Sequence, residues 1–132
     1  MTKFVLHGGF NKEKGSVQEN DDFFKEILKD ASEDIKVLLV YFAERDEMVQ
    51  VRIEQDKVQF NKNKGLKNLH FKIASEETFL QDCTWADIIY LHGGRTVKLM
   101  GTLKKYWDVV FYISYKINTF IVVLLIWQGY RN

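Results

Sequence analysis

The feature that most restricts the fold is a pair of apolar runs that do not alternate with polar residues. In residues 36–43, every residue after Lys36 is aliphatic or aromatic. In residues 86–91, Asp87 is the only residue that is not. A strand with one face in water alternates between apolar and polar residues, whereas a strand covered on both faces does not. The two runs therefore predict parallel strands inside a sheet that has helices on both faces.

Helical patterns separate the predicted strands. A first strand covers residues 4–6, and residues 20–22 supply a cap and negative charge for the positive end of a helix. The apolar residues of that helix recur at helical spacing and are Phe23, Phe24, Ile27 and Leu28. Alternation of strand and helix implies a parallel sheet joined by right-handed crossovers, so the sequence predicts an α/β fold.

The segment 44–61 is ambiguous. Val49, Val51 and Ile53 alternate as in a strand, but Val49, Ile53 and Phe60 also share one face of a helix. We favour the helix. Residues 68–73 then form a predicted strand, and Ser75 with its two following glutamates opens a short helix. After residues 86–91, Thr96 can cap a helix whose apolar face consists of Leu99, Met100, Leu103 and Trp107.

The carboxyl-terminal stretch is the most apolar part of the chain. Residues 120–127 contain no charged residue, and the polar residues between 109 and 127 are Ser114, Lys116, Asn118 and Thr119. We interpret residues 120–127 as another buried strand, or as an aggregation-prone tail if it has no sheet to join. A membrane-spanning helix is the less favoured alternative, because a lysine near its middle costs several kcal/mol.

Composition limits the class of protein. The chain has 132 residues, of which 46% are hydrophobic and 14% aromatic, and this suffices for one domain over residues 1–132. A net charge of +1 argues against a nucleic-acid partner. The single cysteine, Cys83, cannot form an internal disulfide, and residues 1–10 do not resemble a secretory signal. We therefore expect a cytoplasmic protein that is not attached to a membrane.

Two of the predicted strands end in the same tripeptide, a histidine and two glycines. The first tripeptide is His7, Gly8 and Gly9. The second is His92, Gly93 and Gly94, and it is followed by Arg95 and Thr96, which we include among the candidate site residues. Ligands of open parallel sheets bind at the carboxyl ends of strands, where glycines expose backbone amides to an anion. A phosphate or an oxyanion would suit such amides, with Arg95 and the positive end of the following helix adding positive charge. The alternative is that the glycines only permit tight turns.

The remaining candidates favour structural roles. The histidines lack the spacing of a metal site and no cofactor motif occurs, so we predict neither a metal nor a cofactor. His70 is interpreted as a core or edge residue of its strand. Cys83 is interpreted as structural, since nothing near it in the sequence would activate a thiol. The lysines at positions 57, 62, 64 and 67 are interpreted as a solvated face.

Several segments resemble a known family. They are residues 4–9, 20–24, 38–43 and, most specifically, 86–96 with its two glycines before Thr96. Residues 1–106, and most clearly about 3–106, resemble the amino-terminal half of the peptidase E (aspartyl dipeptidase) family. That family belongs to the class I glutamine amidotransferase-like superfamily. The resemblance implies a flavodoxin-like three-layer fold with a parallel sheet and a serine peptidase that hydrolyses small peptides. It also implies that Gly93 and Gly94 belong to the oxyanion-hole segment.

The chain departs from this family after residue 106. Members carry their nucleophile in a Gly-x-Ser-Ala-Gly elbow after the next strand, and residues 107–132 contain no such elbow. Charge changes as well: residues 1–87 hold 13 basic and 17 acidic side chains, and residues 88–132 hold six basic ones and only Asp108. We hypothesise that a frameshift or premature stop replaced the carboxyl half with a divergent apolar tail, which would truncate the fold at its carboxyl side.

Without the nucleophile and the catalytic histidine of the family, we expect no peptide hydrolysis by this chain. Two alternatives from other classes stay open. One is a non-catalytic module that binds a small peptide or another small anionic ligand through the glycine turns and Arg95. The other is an interaction module that self-associates by pairing the apolar tail, residues 118–132, with a partner's sheet. A fragment with no function of its own is a third interpretation.

Overall fold

A computed structural model describes residues 3–7, 17–42, 44–92 and 121–125 of the protein. These residues form five strands, β1 (Lys3–His7), β2 (Asp34–Val40), β3 (Asn68–Ile73), β4 (Ile88–Leu91) and β5 (Ile121–Leu125). They also form three helices, α1 (Val17–Leu28), α2 (Asp46–Asn63) and α3 (Phe79–Trp85). Strands and helices alternate from β1 to β4, which confirms the predicted α/β class.

All five strands belong to one sheet in the order β1-β5-β4-β2-β3. Each neighbouring pair is parallel. From β2 the chain moves outward to β3 and then returns to the other side of β2 to form β4. The direction of winding therefore reverses between β2 and β4: β3, the strand after β2, and β5, the next described strand after β4, lie on opposite sides of this pair. In open α/β sheets, ligands bind at the carboxyl ends of strands at such a reversal.

Helices cover both faces of the sheet. On one face, the apolar sides of α1 and α2 pack against β2 and β4 through Phe24, Phe60 and Tyr90, whose rings contact one another at centroid distances of 4.9 to 5.9 Å. On the other face, Phe79 and Cys83 of α3 pack against the same two strands. Nearly all crossovers are right-handed, so a reversal of winding moves the connecting helix to the opposite face.

The two non-alternating runs are buried on both faces, as predicted. Val37 and Leu39 face α1 and α2, Leu38 and Val40 face α3, and none of the four is exposed to solvent. All four residues of β4 are buried as well. Full burial of such side chains stabilises a fold by about 1.5–3 kcal/mol each, so β2 and β4 form the centre of the described core.

The segment 44–61 is a helix, as favoured. Ile53 and Phe60 are buried against the sheet, while Val51 is 47% exposed on the opposite side. A strand would have placed Val51 and Ile53 on the same face. The helix ends at Asn63, and Gly65 follows with a φ of +60°, a left-handed conformation that favours glycine after a helix.

Two helix starts differ from the sequence prediction. Helix α1 begins at Val17, so Asp21 lies inside it instead of capping it and binds Lys62 and Asn63 of α2. Helix α3 begins at Phe79. Residues 76–78 form a turn before it because the Ser75 hydroxyl accepts a hydrogen bond from the Thr78 backbone N–H. Cys83 therefore lies within α3.

The apolar run near the carboxyl end joins the sheet. Ile121–Leu125 forms β5, which pairs with β1 on one side and β4 on the other. The strand interpretation of this run is thus confirmed for these five residues, and β5 occupies the place beside β4. None of the helices in the described part of the chain has the length and hydropathy needed to span a membrane.

Candidate functional site

The carboxyl ends of four strands lie level with one another. Val40, Leu91, Leu124 and Leu6 form one row across the sheet. His92 follows in the next position of β4, where its N–H donates to the Val40 carbonyl at 2.9 Å, and His7 pairs with Leu125. The two histidines predicted to lie near the same end of the sheet therefore do so, with β5 between them.

A buried carboxylate lies at the carboxyl ends of β2 and β4. Asp56, from the inward face of α2, is 4% exposed. The hydroxyl of Tyr41 donates to its Oδ2 at 2.8 Å, and the hydroxyl of Tyr90 donates to its Oδ1 at 3.2 Å. Nδ1 of His92 also lies 2.9 Å from Oδ2. Groups from β2, α2 and β4 thus converge on one side chain, which offsets the cost of burying its charge.

The second ring nitrogen of His92 faces another carboxylate. Nε2 lies 3.5 Å from Oε2 of Glu44, which also lies 3.4 Å from Nε of Arg52. Arg52 in turn donates from its guanidinium to Gln55 at 3.0 Å. The side chains form a chain from the buried Asp56 through His92 and Glu44 to the partly exposed Arg52. We call these four residues and the two tyrosines the Asp56 network.

Burial keeps the two tyrosines protonated. Desolvation, followed by the charge of Asp56, raises the pKa of both Tyr41 and Tyr90 well above the ordinary value of 10.0. Their hydroxyls therefore act as donors to Asp56 throughout the neutral range. A neutral imidazole has one N–H and can donate to only one of the two carboxylates that flank His92, whereas a doubly protonated ring donates to both.

The Asp56 network can orient a histidine. A carboxylate that accepts from Nδ1 fixes the tautomer and rotation of the ring and leaves Nε2 for chemistry, as in the triads of hydrolases. Here Nε2 points to Glu44, and His92 is only 9% exposed. The arrangement therefore suits a fixed polar wall beside a ligand better than an open general base.

The sequence located one member of this network. His92 was predicted as a site residue, and it lies at the reversal of winding. The other predicted positions, Gly8, Gly9, Gly93, Gly94, Arg95 and Thr96, lie outside the described residues, and His7 is described as the last residue of β1. Asp56 was missed, although it stands on the same helical face as Ile53 and Phe60. A charged residue within an apolar helical stripe is the signal that could have found it.

The other sequence candidates have structural partners. His70 lies on β3 at the end of the strand order, with Nε2 3.8 Å from Asp34, so it is an edge residue as expected. Burial, and then the charge of Asp82, raises the pKa of Cys83 to about 12, which fits an unreactive structural thiol. Within the described part of the chain, no cluster of three His, Cys, Asp or Glu side chains is suited to a metal ion.

The four lysines interpreted as a solvated face are all exposed or partly exposed, and each has a partner. Lys62 pairs with Asp21 at 3.2 Å, and Lys57 lies 5.8 Å from the centroid of the Phe71 ring. Lys64 and Lys67 donate to backbone carbonyls of Lys67 and Ala31. Lys57, Lys62 and Lys67 therefore connect different segments, whereas Lys64 bonds within its own turn.

Comparison with known proteins does not assign the chain to a family. No family model matches the chain, and no curated protein matches it. The resemblance to peptidase E therefore stays an expectation from the residues that carry it.

Proposed function

We propose that this chain is a peptidase E-like α/β protein that binds a small peptide or another small anionic ligand without hydrolysing it. The binding place is at the carboxyl ends of β2 and β4. The observation that carries the proposal is the reversal of winding between these strands, which coincides with the Asp56 network and precedes Gly93 and Gly94 directly in the sequence.

The location supports binding because backbone and side chains converge there. His92 ends the ladder between β2 and β4, and its ring is held on both sides by carboxylates from α2 and from the segment before it. The backbone and the side chain of His92, directly after β4, are therefore both held in place. In the proposed site the amides after His92 and the guanidinium of Arg95 contact the anion, and the buried network keeps the origin of the turn in place.

The absence of hydrolysis follows from the residues available for covalent catalysis. In the resembled family the strand after β4 leads into the serine elbow. Here the next described strand is β5, which pairs with β4, and residues 126–132 contain no serine, threonine or cysteine. Amide donors alone support only a small residual rate compared with a complete nucleophile and base.

Calorimetric titration with an amino-terminal Asp dipeptide and with inorganic phosphate tests the binding. We expect saturable binding of at least one of the two, weakened about tenfold or more by Arg95→Ala, because a charge-assisted contact contributes about 1.5–3 kcal/mol. Lys29→Ala is the matched control, since this exposed lysine follows α1 at the opposite end of the sheet. Equal affinities of the wild type and Arg95→Ala, or binding of neither ligand, would refute the proposal.

The same dipeptide tests the lack of turnover. Incubation with the protein should release no free aspartate above the buffer rate, and a fluorophosphonate probe for active serines should leave the protein unlabelled. Labelling at any serine together with hydrolysis would show a peptidase and contradict the second half of the proposal.

A further inference from the structure

Helix α2 presents an apolar stripe to solvent on the side away from the sheet. Val51 is 47% exposed and Val58 is 61% exposed, and they lie seven residues apart, which places them two turns apart on one side of the helix. The same side carries Glu47 one turn before Val51 and Lys62 one turn after Val58. Two of the large apolar side chains exposed in the described part of the chain therefore belong to one surface, which we call the α2 stripe.

We propose that the α2 stripe binds the α2 stripe of a second copy of this chain in antiparallel orientation. A twofold axis midway between Glu54 and Gln55 places Val51 of each copy opposite Val58 of the other. It also places Glu47 opposite Lys62, and Glu54 opposite Gln55. The pairing is isologous, so each apolar and each charged contact occurs twice.

Charge selects this orientation over a parallel one. A parallel pair about the same stripe would place Glu47 opposite Glu47 and Lys62 opposite Lys62, which opposes like charges at both ends. The antiparallel pair joins opposite charges at both ends. It also sets the positive end of one helix beside the negative end of the other, which adds to the same preference.

The charged residues of the stripe are accessible for this contact. The side chain of Glu47 is 70% exposed and lies 3.9 Å from Arg45, a loose surface pair. The side chain of Lys62 is 47% exposed and lies 3.2 Å from Asp21 of its own chain. An ammonium group has three N–H donors, so Lys62 can keep Asp21 and also reach a glutamate of the second copy. One helix pair buries less than the roughly 1,200 Å² of stable interfaces, so the association is weak and depends on concentration.

Sedimentation velocity over a concentration series tests the proposal, which is independent of the proposed ligand site. We expect the wild type to shift towards a dimer as concentration rises. Glu47→Lys alone and Lys62→Glu alone should each remove the shift, because each opposes like charges at both ends of the pair. An equimolar mixture of the two variants should restore it, since residues 47 and 62 then carry opposite charges at both ends of the mixed dimer. Thermal melts establish that both variants fold.

Cysteine crosslinking tests the register. In the proposed dimer residue 55 lies about 1.5 Å along the axis from its symmetry mate, whereas residue 51 lies about 10 Å from its own, given a rise of 1.5 Å per residue. Gln55→Cys should therefore form a disulfide-linked dimer under mild oxidation and Val51→Cys should not. The native Cys83 is fully buried and does not compete. Crosslinking of both variants would indicate the parallel pair, and a monomer at all concentrations would exclude any pairing; either result overturns the proposal.

Discussion

Two buried aspartates lie on opposite faces of the sheet and differ in what surrounds them. Asp56 of α2 is bound by the hydroxyl of Tyr90 in β4, by that of Tyr41 directly after β2 and by His92 directly after β4. Asp82 of α3 is 1% exposed and accepts a hydrogen bond from the hydroxyl of Thr78 at 2.7 Å, four residues earlier in the chain. Its other oxygen forms an ion pair at 2.9 Å with the half-exposed Lys72 of the edge strand.

The difference distinguishes a candidate functional site, around Asp56, from a purely structural interaction, around Asp82. Asp82 fixes the first turn of its own helix and ties α3 to β3, and its ammonium partner remains hydrated. Asp56 of α2 bonds groups from the ends of two strands at the place where winding reverses, and it orders the residue that precedes Gly93 and Gly94 in the sequence. Buried polar groups of the second kind cost more to remove, because each donor left behind is itself buried.

The largest expected effect is the loss of Asp56. Asp56→Ala should lower the free energy of unfolding by about 3–5 kcal/mol, because it leaves the Tyr41 hydroxyl, the Tyr90 hydroxyl and His92 without their buried acceptor. The measurement is urea-induced unfolding followed by circular dichroism. Glu54→Ala, on the exposed side of the same helix, should change the value by less than about 0.5 kcal/mol. A loss below about 1 kcal/mol for Asp56→Ala would remove the energetic basis for treating the network as a unit.

The corresponding change on the other face should be smaller. Asp82→Ala should cost about 1–2 kcal/mol, because the Lys72 side chain is 48% exposed and its ammonium can return to water, so that only the Thr78 hydroxyl loses a buried partner. The same urea titration applies. If Asp82→Ala were as costly as Asp56→Ala, the contrast between the two faces would not hold.

The tyrosines test whether the Asp56 network acts as a unit. Tyr41→Phe and Tyr90→Phe should each cost about 1 kcal/mol, with Tyr41→Phe the larger because its bond is 2.8 Å and that of Tyr90 is 3.2 Å. In the background of Asp56→Ala, either change should be close to neutral, since the hydroxyl no longer has an acceptor. Additive costs in this double-mutant cycle would indicate independent contributions.

As the pH rises above neutrality, the buried groups on the two faces of the sheet should lose their stabilising effect at different pH values. A group whose pKa is higher in the folded than in the unfolded state stabilises the folded protein. This stabilisation is complete below the pKa of the unfolded state and is lost as the pH rises towards the pKa of the folded state. For Cys83 the window runs from 9.0 to about 12. For Tyr41 and Tyr90 it begins at 10.0. Cys83→Ala should therefore flatten the decline between about pH 9 and 10, whereas the two Tyr→Phe changes should flatten it only above about pH 10.

Urea titrations at about pH 8, 9, 10 and 11 measure this decline. Titrating lysines are common to all variants, so they do not affect the comparison of slopes. The same slope for the wild type and all three variants would show that these groups titrate alike in the folded and unfolded states.

The apolar run near the carboxyl end was the hardest segment to assign from the sequence, and part of it forms strand β5 in the structure. An apolar run such as residues 120–127 is compatible with a strand, a tail or part of a membrane helix, because periodicity does not distinguish them. In the structure both edges of β5 are paired within the chain. Self-association through residues 118–132 would have to replace these pairings, whereas the α2 stripe needs no such rearrangement.

Local sequence patterns were sufficient to predict the parallel α/β class and most of the described elements. Non-alternating strands, helical spacing and glycine turns are local properties, and they can be read over a window of about ten residues. The sequence also identified His92 and His7 as residues at one end of the sheet, because parallel strands end on the same side.

The contacts of His92 depend on how the elements pack together. Asp56 lies 36 residues before it and Glu44 lies further away, and no local pattern joins them. The strand order brings β2 and β4 together, and α2 then lies over both, so that one carboxylate reaches groups from each strand. Such a network depends on distances between elements that are far apart along the chain, and these distances are set by how the sheet is wound and packed.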